Sequence, residues 1–226
     1  MKAIILSAGR GERLRPLTDT LPKPLIEING KSLIEYHLEK LAQAGVTDIV
    51  INHAWLGQKI EQKLGKGLRY GLNITYSPEP EGGLETAGGI INALDKLSDG
   101  NSPFLVINGD VFTDYDFKKL TNIKLTNEKV AHLILVKNPD FKEVGDFGLE
   151  NGQVNEQKQY TFSGISIIHP RLFKSIKLAR LKLAPILRQA IKNKQIQGSL
   201  YQGYWSDIGT VERLEATAKY LQGHLS

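Results

Sequence analysis

The sequence predicts an α/β architecture: a mostly parallel sheet flanked by helices, with a small mixed-sheet insertion in the second half. Three observations predict it. Short continuous apolar runs alternate with stretches whose apolar residues fall three and four apart, the rhythm of strand and crossover helix. A segment rich in glycine and arginine follows the first apolar run directly. Around 147–168 the rhythm changes to short strand-like pieces divided by Asn151-Gly152, a hairpin signal.

The elements follow in order. Ala3-Ile4-Ile5-Leu6 reads as a buried strand within 2–7, and further strands are expected near 48–51, 73–77, 103–107, 131–136 and 161–168. Helices are expected over 32–44, 56–64, 86–96 and 182–193. Ser32 stands before Leu33-Ile34 with Glu35 three residues on, a capping box that starts the first of these. Asp114 and Asp116 are expected to cap the helix after them. Strands separated by helices make the sheet Rossmann-like, with ligands at the carboxyl ends of its strands. No repeat, low-complexity tract or linker interrupts the chain, so 1–226 is expected to be a single domain.

Composition excludes several classes. The 226 residues are 41% hydrophobic and 23% charged with 22 glycines and 9 prolines, enough apolar material for a core and too little glycine and proline for a fibrous chain. There is no cysteine, which removes disulfides, thiolate nucleophiles and thiolate metal sites. The first apolar run is too short for a signal peptide or a membrane span, so a cytoplasmic protein is expected, without a membrane partner. The net charge is +5, with basic residues crowded into 118–137 and 171–194. Apolar residues interrupt both segments and stacking aromatics are absent, the pattern of solvated helix faces and not of a nucleic-acid surface. The charge fits a small anionic substrate.

The segment Ala8-Gly9-Arg10-Gly11-Glu12-Arg13-Leu14-Arg15-Pro16 matches neither standard phosphate loop. A dinucleotide fingerprint needs a glycine where Leu14 stands, and a P-loop ending in Gly30-Lys31-Ser32 needs one where Leu25 stands. Glycines nevertheless let backbone N–H groups approach a polyphosphate, and Arg13 can grip phosphate oxygens. Pro22-Lys23-Pro24 holds a lysine between two residues of fixed φ. The other reading of the loop is a tight turn with solvated arginines. Asp110 ends the apolar run Phe104–Ile107 through Asn108-Gly109, which places a carboxylate at the carboxyl edge of the sheet. Asp207, in Trp205-Ser206-Asp207-Ile208-Gly209-Thr210, is either a ligand for a hard cation or a helix cap. No histidine pair has zinc spacing, and His53 is expected to be satisfied within the structure.

G-x-G-x-R-L-x-P followed by P-K-P resembles the sugar-nucleotide pyrophosphorylases, nucleotidyltransferases that join a nucleoside triphosphate to a sugar 1-phosphate. The resemblance implies that Ala8, Gly9, Gly11, Glu12 and Arg13 hold the triphosphate and that Lys23 contacts the α-phosphate. It implies that Asp110 and Asp207 bind Mg²⁺, through motifs like N-G-D and W-x-D-I-G-T, and that Glu79, Gly82 and Gly83 contact the base. It implies that Asn108, Asp146 and Glu156 meet the sugar phosphate. The family's Glu-Lys-Pro segment reads Val154-Asn155-Glu156-Gln157-Lys158-Gln159 here, a departure at the sugar site. Longer stretches, including Asn52–Gln58, Leu84–Ile90 and Gly109–Phe117, resemble the uridylyltransferase branch that serves peptidoglycan recycling, which implies UTP and an acidic amino-sugar 1-phosphate as partners. The chain also stops without the left-handed β-helix of longer uridylyltransferases. Guanylyl or thymidylyl transfer is the nearest alternative, a nucleotide-binding relative without turnover the next.

Overall fold

Ala3, Ile4 and Ile5 are fully buried because the first strand is covered on both faces, which is why its residues run apolar without alternation. The computed structural model describes residues 1–126 and 128–224. The strands are β1 (Ala3–Leu6), β2 (Glu27–Ile28), β3 (Lys31–Ser32), β4 (Asp48–His53), β5 (Asn73–Pro78), β6 (Phe104–Asn108), β7 (Val111–Thr113), β8 (Ala131–Val136), β9 (Phe147–Glu150), β10 (Gln153–Ile168), β11 (Ile196–Tyr201) and β12 (Trp205–Asp207). The helices are α1 (Leu17–Thr20), α2 (Leu33–Gln43), α3 (Gly57–Leu64), α4 (Glu85–Asn92), α5 (Leu94–Leu97), α6 (Lys118–Thr121), α7 (Leu183–Lys192) and α8 (Val211–His224).

An eight-stranded sheet runs β11-β8-β10-β6-β1-β4-β5, with β9 attached to β10. The strands β6, β1, β4 and β5 run parallel to one another, as do β8 and β11. Between those groups β10 runs antiparallel to both β6 and β8. Leu6 is level with Asn52 and with Asn108, so the carboxyl ends of β1, β4 and β6 form one ledge. Two small antiparallel sheets, β2–β3 and β7–β12, stand apart from the main one.

Successive strand residues face opposite sides. Ile4, Val50 and Val106 join a core with Ile90 of α4 and Leu187 of α7, while Ile5, Ile51 and Ile107 join another with Leu38 of α2 and Ile60 of α3. A third cluster, Ile28, Leu33, Phe112 and Ile208, seats α8 on the small sheets.

The hairpin at Asn151-Gly152 is present: both residues have positive φ, 49° and 76°, the geometry of a two-residue turn. Its second strand continues for 16 residues and enters the main sheet between β8 and β6, so the second half is no separate insertion. The capping box also forms, Glu35 Oε2 accepting from the Ser32 N–H at 3.1 Å. Burial raises the Glu35 pKa, but hydrogen bonds from Ser32 and Tyr70 and the charge of Lys63 outweigh it and bring it down to about 2. The helix expected over 86–96 breaks at Ala93 into α4 and α5. Asp116 accepts from the Lys118 N–H at 2.9 Å and starts α6. Asp114 is no cap; it accepts instead from the hydroxyls of Tyr201 and Tyr220, tying β11 to α8. No helix of the described residues is long and apolar enough to cross a membrane.

Candidate active site

Directly after β1 the chain turns through Gly11, whose φ of 70° favours glycine. A Cβ there would lie 3.1 Å from the Lys23 Cβ and 3.0 Å from Thr18 Cγ2. The loop is therefore wrapped tightly on the lysine it precedes by twelve positions. Between its two prolines Lys23 is only 6% exposed, and its ammonium reaches Asp110 Oδ2 at 2.7 Å and Asp207 Oδ1 at 3.8 Å.

Each aspartate is delivered by backbone. Asp110 leaves β6 through Gly109, whose N–H bonds the Leu6 carbonyl at 2.9 Å and whose Cβ, if present, would sit 2.8 Å from that same oxygen. Glycine is needed there for close approach to β1. Asp207 pairs with Val111 across the β7–β12 sheet, and the Ile208 N–H bonds the Asp110 carbonyl at 2.9 Å. Of the two readings of Asp207, the helix cap is the one the structure removes. It does not cap α8, where Thr210 Oγ1 accepts from the Arg213 N–H at 3.4 Å. Its Oδ2 faces Arg213 Nη1 at 3.1 Å and Arg13 Nη2 at 3.7 Å. Its Oδ1 is buried without a hydrogen bond.

Arg13, Lys23 and Asp110 border a cleft of about 980 Å³ at the ledge; Asp207 lies behind them, within 3.8 Å of the Lys23 ammonium, and is not among the lining residues. Of the residues singled out in the sequence, Ala8, Gly9, Gly11, Glu12, Arg13, Lys23, Gly82, Gly83, Asn108 and Asp110 line it. Glu79 stands behind the wall: it accepts from Asn52 Nδ2 at 2.6 Å and from the Leu84 N–H at 2.7 Å, while Asn52 Oδ1 accepts from the Ser7 N–H at 2.8 Å. Glu79 thus braces the loop carrying Gly82 and Gly83 against the start of the glycine loop. Gly89 makes room for this brace, since a Cβ there would be 2.4 Å from Glu79 Oε1.

Asp146 and Glu156 form a separate group further along the sheet. Asp146 Oδ2 accepts from Lys142 at 2.6 Å and from the Phe162 N–H at 2.9 Å, and Arg188 lies 4.0 Å from Glu156 Oε1. The link to the cleft is the β10 bulge after Phe162, where Gly164 (φ 78°) packs on Asn108 so closely that a Cβ would be 2.6 Å from its Nδ2.

The histidines whose side chains are described stay out of the cleft. His53 is buried and its Nε2 lies 2.7 Å from Glu61 Oε1, as expected of a histidine satisfied internally. His37 bonds the Val111 carbonyl at 2.8 Å, and burial pushes its pKa down to about 4. Among the described residues no three His, Asp or Glu side chains converge as a metal cage. The two aspartates are what a hard cation would find, and the unpartnered Asp207 Oδ1 beside a cationic ammonium suits one.

Sequence reasoning missed Arg213, Asn52 and the stack of Arg10 on Trp55, whose guanidinium carbon lies 4.6 Å from the ring centroid. Arg213 carried a signal. It sits in the first turn of α8, where the helix dipole disfavours a cation unless an anion waits nearby.

With this geometry in hand, comparison with known proteins is decisive. The family model for "Nucleotidyl transferase" matches residues 2–156. The chain belongs to the nucleotidyl transferase family. This nucleotidyl transferase is 53% identical over 223 residues to the N-acetylmuramate alpha-1-phosphate uridylyltransferase of Neisseria meningitidis serogroup B (strain ATCC BAA-335 / MC58), covering 95% of this chain and 96% of the relative. It is 34% identical to the mannose-1-phosphate guanyltransferase of Saccharomyces cerevisiae (strain ATCC 204508 / S288c), over 98% of this chain and 65% of that one. Among solved structures, a Bacillus anthracis protein described as a glucose-1-phosphate thymidylyltransferase, in complex with sucrose, superposes with a TM-score of 0.84 at 26% identity, covering 98% of this chain and 94% of that one. The α/β fold expected of the chain is the fold of that solved structure.

Proposed function

We propose that the protein transfers a uridylyl group from UTP to N-acetylmuramic acid α-1-phosphate. It would release pyrophosphate and UDP-N-acetylmuramic acid as a Mg²⁺-dependent, single-domain cytoplasmic enzyme of peptidoglycan recycling. The observation that carries the reaction type is the convergence of Arg13, Lys23, Asp110 and Asp207, from four separate segments, at one end of the cleft. The choice of base and sugar is supported by the relative that is 53% identical across nearly the whole chain.

The chemistry follows from those groups. A non-bridging oxygen of the sugar phosphate attacks the α-phosphorus; the new P–O bond forms as the α–β P–O bond breaks, and pyrophosphate leaves with the electron pair. A phosphomonoester's second pKa is roughly 6, so the nucleophile is already largely a dianion at neutral pH and needs no general base. The absence of the described histidines from the cleft agrees with that. Lys23 is bracketed by prolines and almost fully buried, so its charge is aimed before substrate arrives and is not screened by water. Arg13, with 65% of its side chain exposed, is free to close on the triphosphate. Gly9 has open space where a side chain would stand, leaving its backbone accessible to phosphate. Held by Asp110 and Asp207, Mg²⁺ would neutralise charge developing on the α-phosphate and the leaving group. On the acceptor side, Asn108 lines the cleft, and this reading assigns Asp146 and Glu156, which lie outside its lining, to the sugar.

The test is pyrophosphate release with UTP, GTP, dTTP and CTP, each against N-acetylmuramic acid, N-acetylglucosamine, glucose and mannose 1-phosphates. Asp110→Asn and Asp207→Asn run in parallel. The reading expects release with UTP and N-acetylmuramic acid 1-phosphate, lost in both variants. Release with another pair keeps the mechanism and overturns the substrates, and no release with any pair overturns both.

A further inference from the structure

We infer that Arg213 is the positioning residue that orients Asp207, pinning one carboxylate oxygen so that the other remains presented to a divalent cation. The inference rests on the metal-dependent reading above.

The two oxygens of Asp207 have unlike surroundings. Oδ1 is buried and accepts no hydrogen bond. Its nearest cation, the Lys23 ammonium, stands 3.8 Å away, beyond hydrogen-bond reach, and a buried carboxylate oxygen without a hydrogen bond is costly, so a free side chain would rotate to relieve it. Something holds the carboxylate plane, and it acts through Oδ2. Two guanidinium groups approach that oxygen. Arg13 stands off at 3.7 Å with its side chain 65% exposed, whereas Arg213 bonds at 3.1 Å and is 15% exposed. The closer and drier of the two is the clamp.

Arg213 is itself held from the other side. Its guanidinium carbon lies 4.1 Å from the centroid of the Phe141 ring, an aromatic that is otherwise 57% exposed. A planar cation stacked on a ring and bonded to a carboxylate has little freedom to swing toward a phosphate. Gly209 supplies the room: a Cβ there would lie 2.5 Å from Arg213 Nη2 and 2.8 Å from Arg13 Nη2. The glycine of the Asp-Ile-Gly-Thr motif thus lets both arginines reach one aspartate. Labour divides accordingly, Arg13 facing the triphosphate and Arg213 staying on Asp207.

The test measures Mn²⁺ binding to the full-length protein by electron paramagnetic resonance, without nucleotide or turnover, in wild type, Arg213→Gln, Arg213→Lys, Phe141→Ala and Asp207→Asn. Removal of a group that orients a metal ligand costs roughly 10- to 100-fold in metal affinity. Arg213→Gln should therefore weaken Mn²⁺ at least about tenfold, Arg213→Lys less, and Phe141→Ala, which leaves the ion pair in place, a few-fold. In turnover, Arg213→Gln should raise the Mg²⁺ requirement while leaving KM for UTP unchanged at saturating Mg²⁺. A raised KM for UTP at saturating Mg²⁺ would mean that Arg213 contacts phosphate, and would overturn the inference. So would equal Mn²⁺ affinity in wild type and Arg213→Gln. Should Arg213→Gln fail to fold, unchanged affinity in both Arg213→Lys and Phe141→Ala would overturn it. A wild type that binds no Mn²⁺ sinks the metal reading itself, an outcome distinct from the others.

Discussion

Replacing Glu79 separates two roles that one carboxylate could play. The structure makes it a brace, with Oε1 on Asn52 Nδ2 at 2.6 Å and Oε2 on the Leu84 N–H at 2.7 Å. Hydrogen bonds to charged groups are worth about 1.5–3 kcal/mol each. Glu79 is partly exposed, so the lower end applies, and Glu79→Ala should cost roughly 3 kcal/mol for the pair. In a chain of this size that lowers Tm by about 6–12 °C. Glu79→Gln is the finer probe. An amide offers one oxygen to two donors, so one of the bonds is lost and its donor meets an N–H group; about half the effect should remain. The loop bearing Gly82 and Gly83 should loosen in both variants, raising KM for UTP several-fold with kcat little changed. Differential scanning calorimetry and initial rates over a UTP series measure both quantities. A Glu79→Ala protein that melts with wild type yet loses UTP binding would refute the brace, and would make Glu79 the direct base contact that the family resemblance implies.

Other outcomes follow from the same geometry. Lys23→Ala should reduce kcat on the order of 10²-fold, since a preorganised cation is removed; turnover within twofold of wild type in a rapid-quench assay would exclude Lys23 from the chemistry. Gly11→Ala forces a left-handed residue against Lys23 and should lower stability by roughly 1–2 kcal/mol in urea unfolding. Gly9→Ala meets nothing within 4 Å, so its unfolding should match wild type while its affinity for UTP falls; unequal unfolding would show the space misjudged. His37 and His132 are held neutral by burial, each with its pKa lowered to about 4. The unfolded chain then binds more protons, so their contribution is complete above pH 6.5 and is lost as pH falls toward 4. The loss approaches roughly 3 kcal/mol each at the lower limit. Glu35, lowered to about 2, loses its share only below pH 4.5, so unfolding measured between pH 7 and pH 5 isolates the histidines. A flat profile across that interval would contradict their burial as neutral rings.

The parts legible in the sequence were those that local physics settles. Continuous apolar runs marked the strands buried on both faces, Ser32 and Glu35 marked a helix start, and Asn151-Gly152 marked a turn needing two positive φ values. The glycine loop, Lys23 and Asp110 were legible because each follows a strand end or a rigid dipeptide. What escaped was set by distant partners. The hairpin signal announced short strands on either side of Asn151-Gly152, but not that the second is continuous with the strand expected over 161–168, so that Gln153–Ile168 forms one strand of 16 residues. β11 carries Gly198 in its middle and looks broken, yet a Cβ there would strike Val154 Cγ2 at 2.7 Å and the Leu133 carbonyl at 2.9 Å. The strand β12 is three residues long and exists because β7 does. The bracing role of Glu79 was likewise hidden, because nothing local announces that Asn52 and Leu84 will each bond one of its oxygens.

The pairing of β7 with β12 has a consequence for the order in which the protein becomes competent. Chains emerge from the ribosome amino end first and begin folding as they do. The main sheet takes no residue from β12 or α8, so it can assemble before Trp205–Asp207 finds its partner. Such a nascent molecule has its glycine loop, Lys23 and Asp110 in place, but only half of its acid pair. Closure comes with a final three-residue zipper that must find a partner almost a hundred positions upstream, and α8 locks it by docking on Phe112 and Ile208. A molecule cut between Tyr201 and Trp205 should therefore be well ordered and inert, a built chamber lacking its latch.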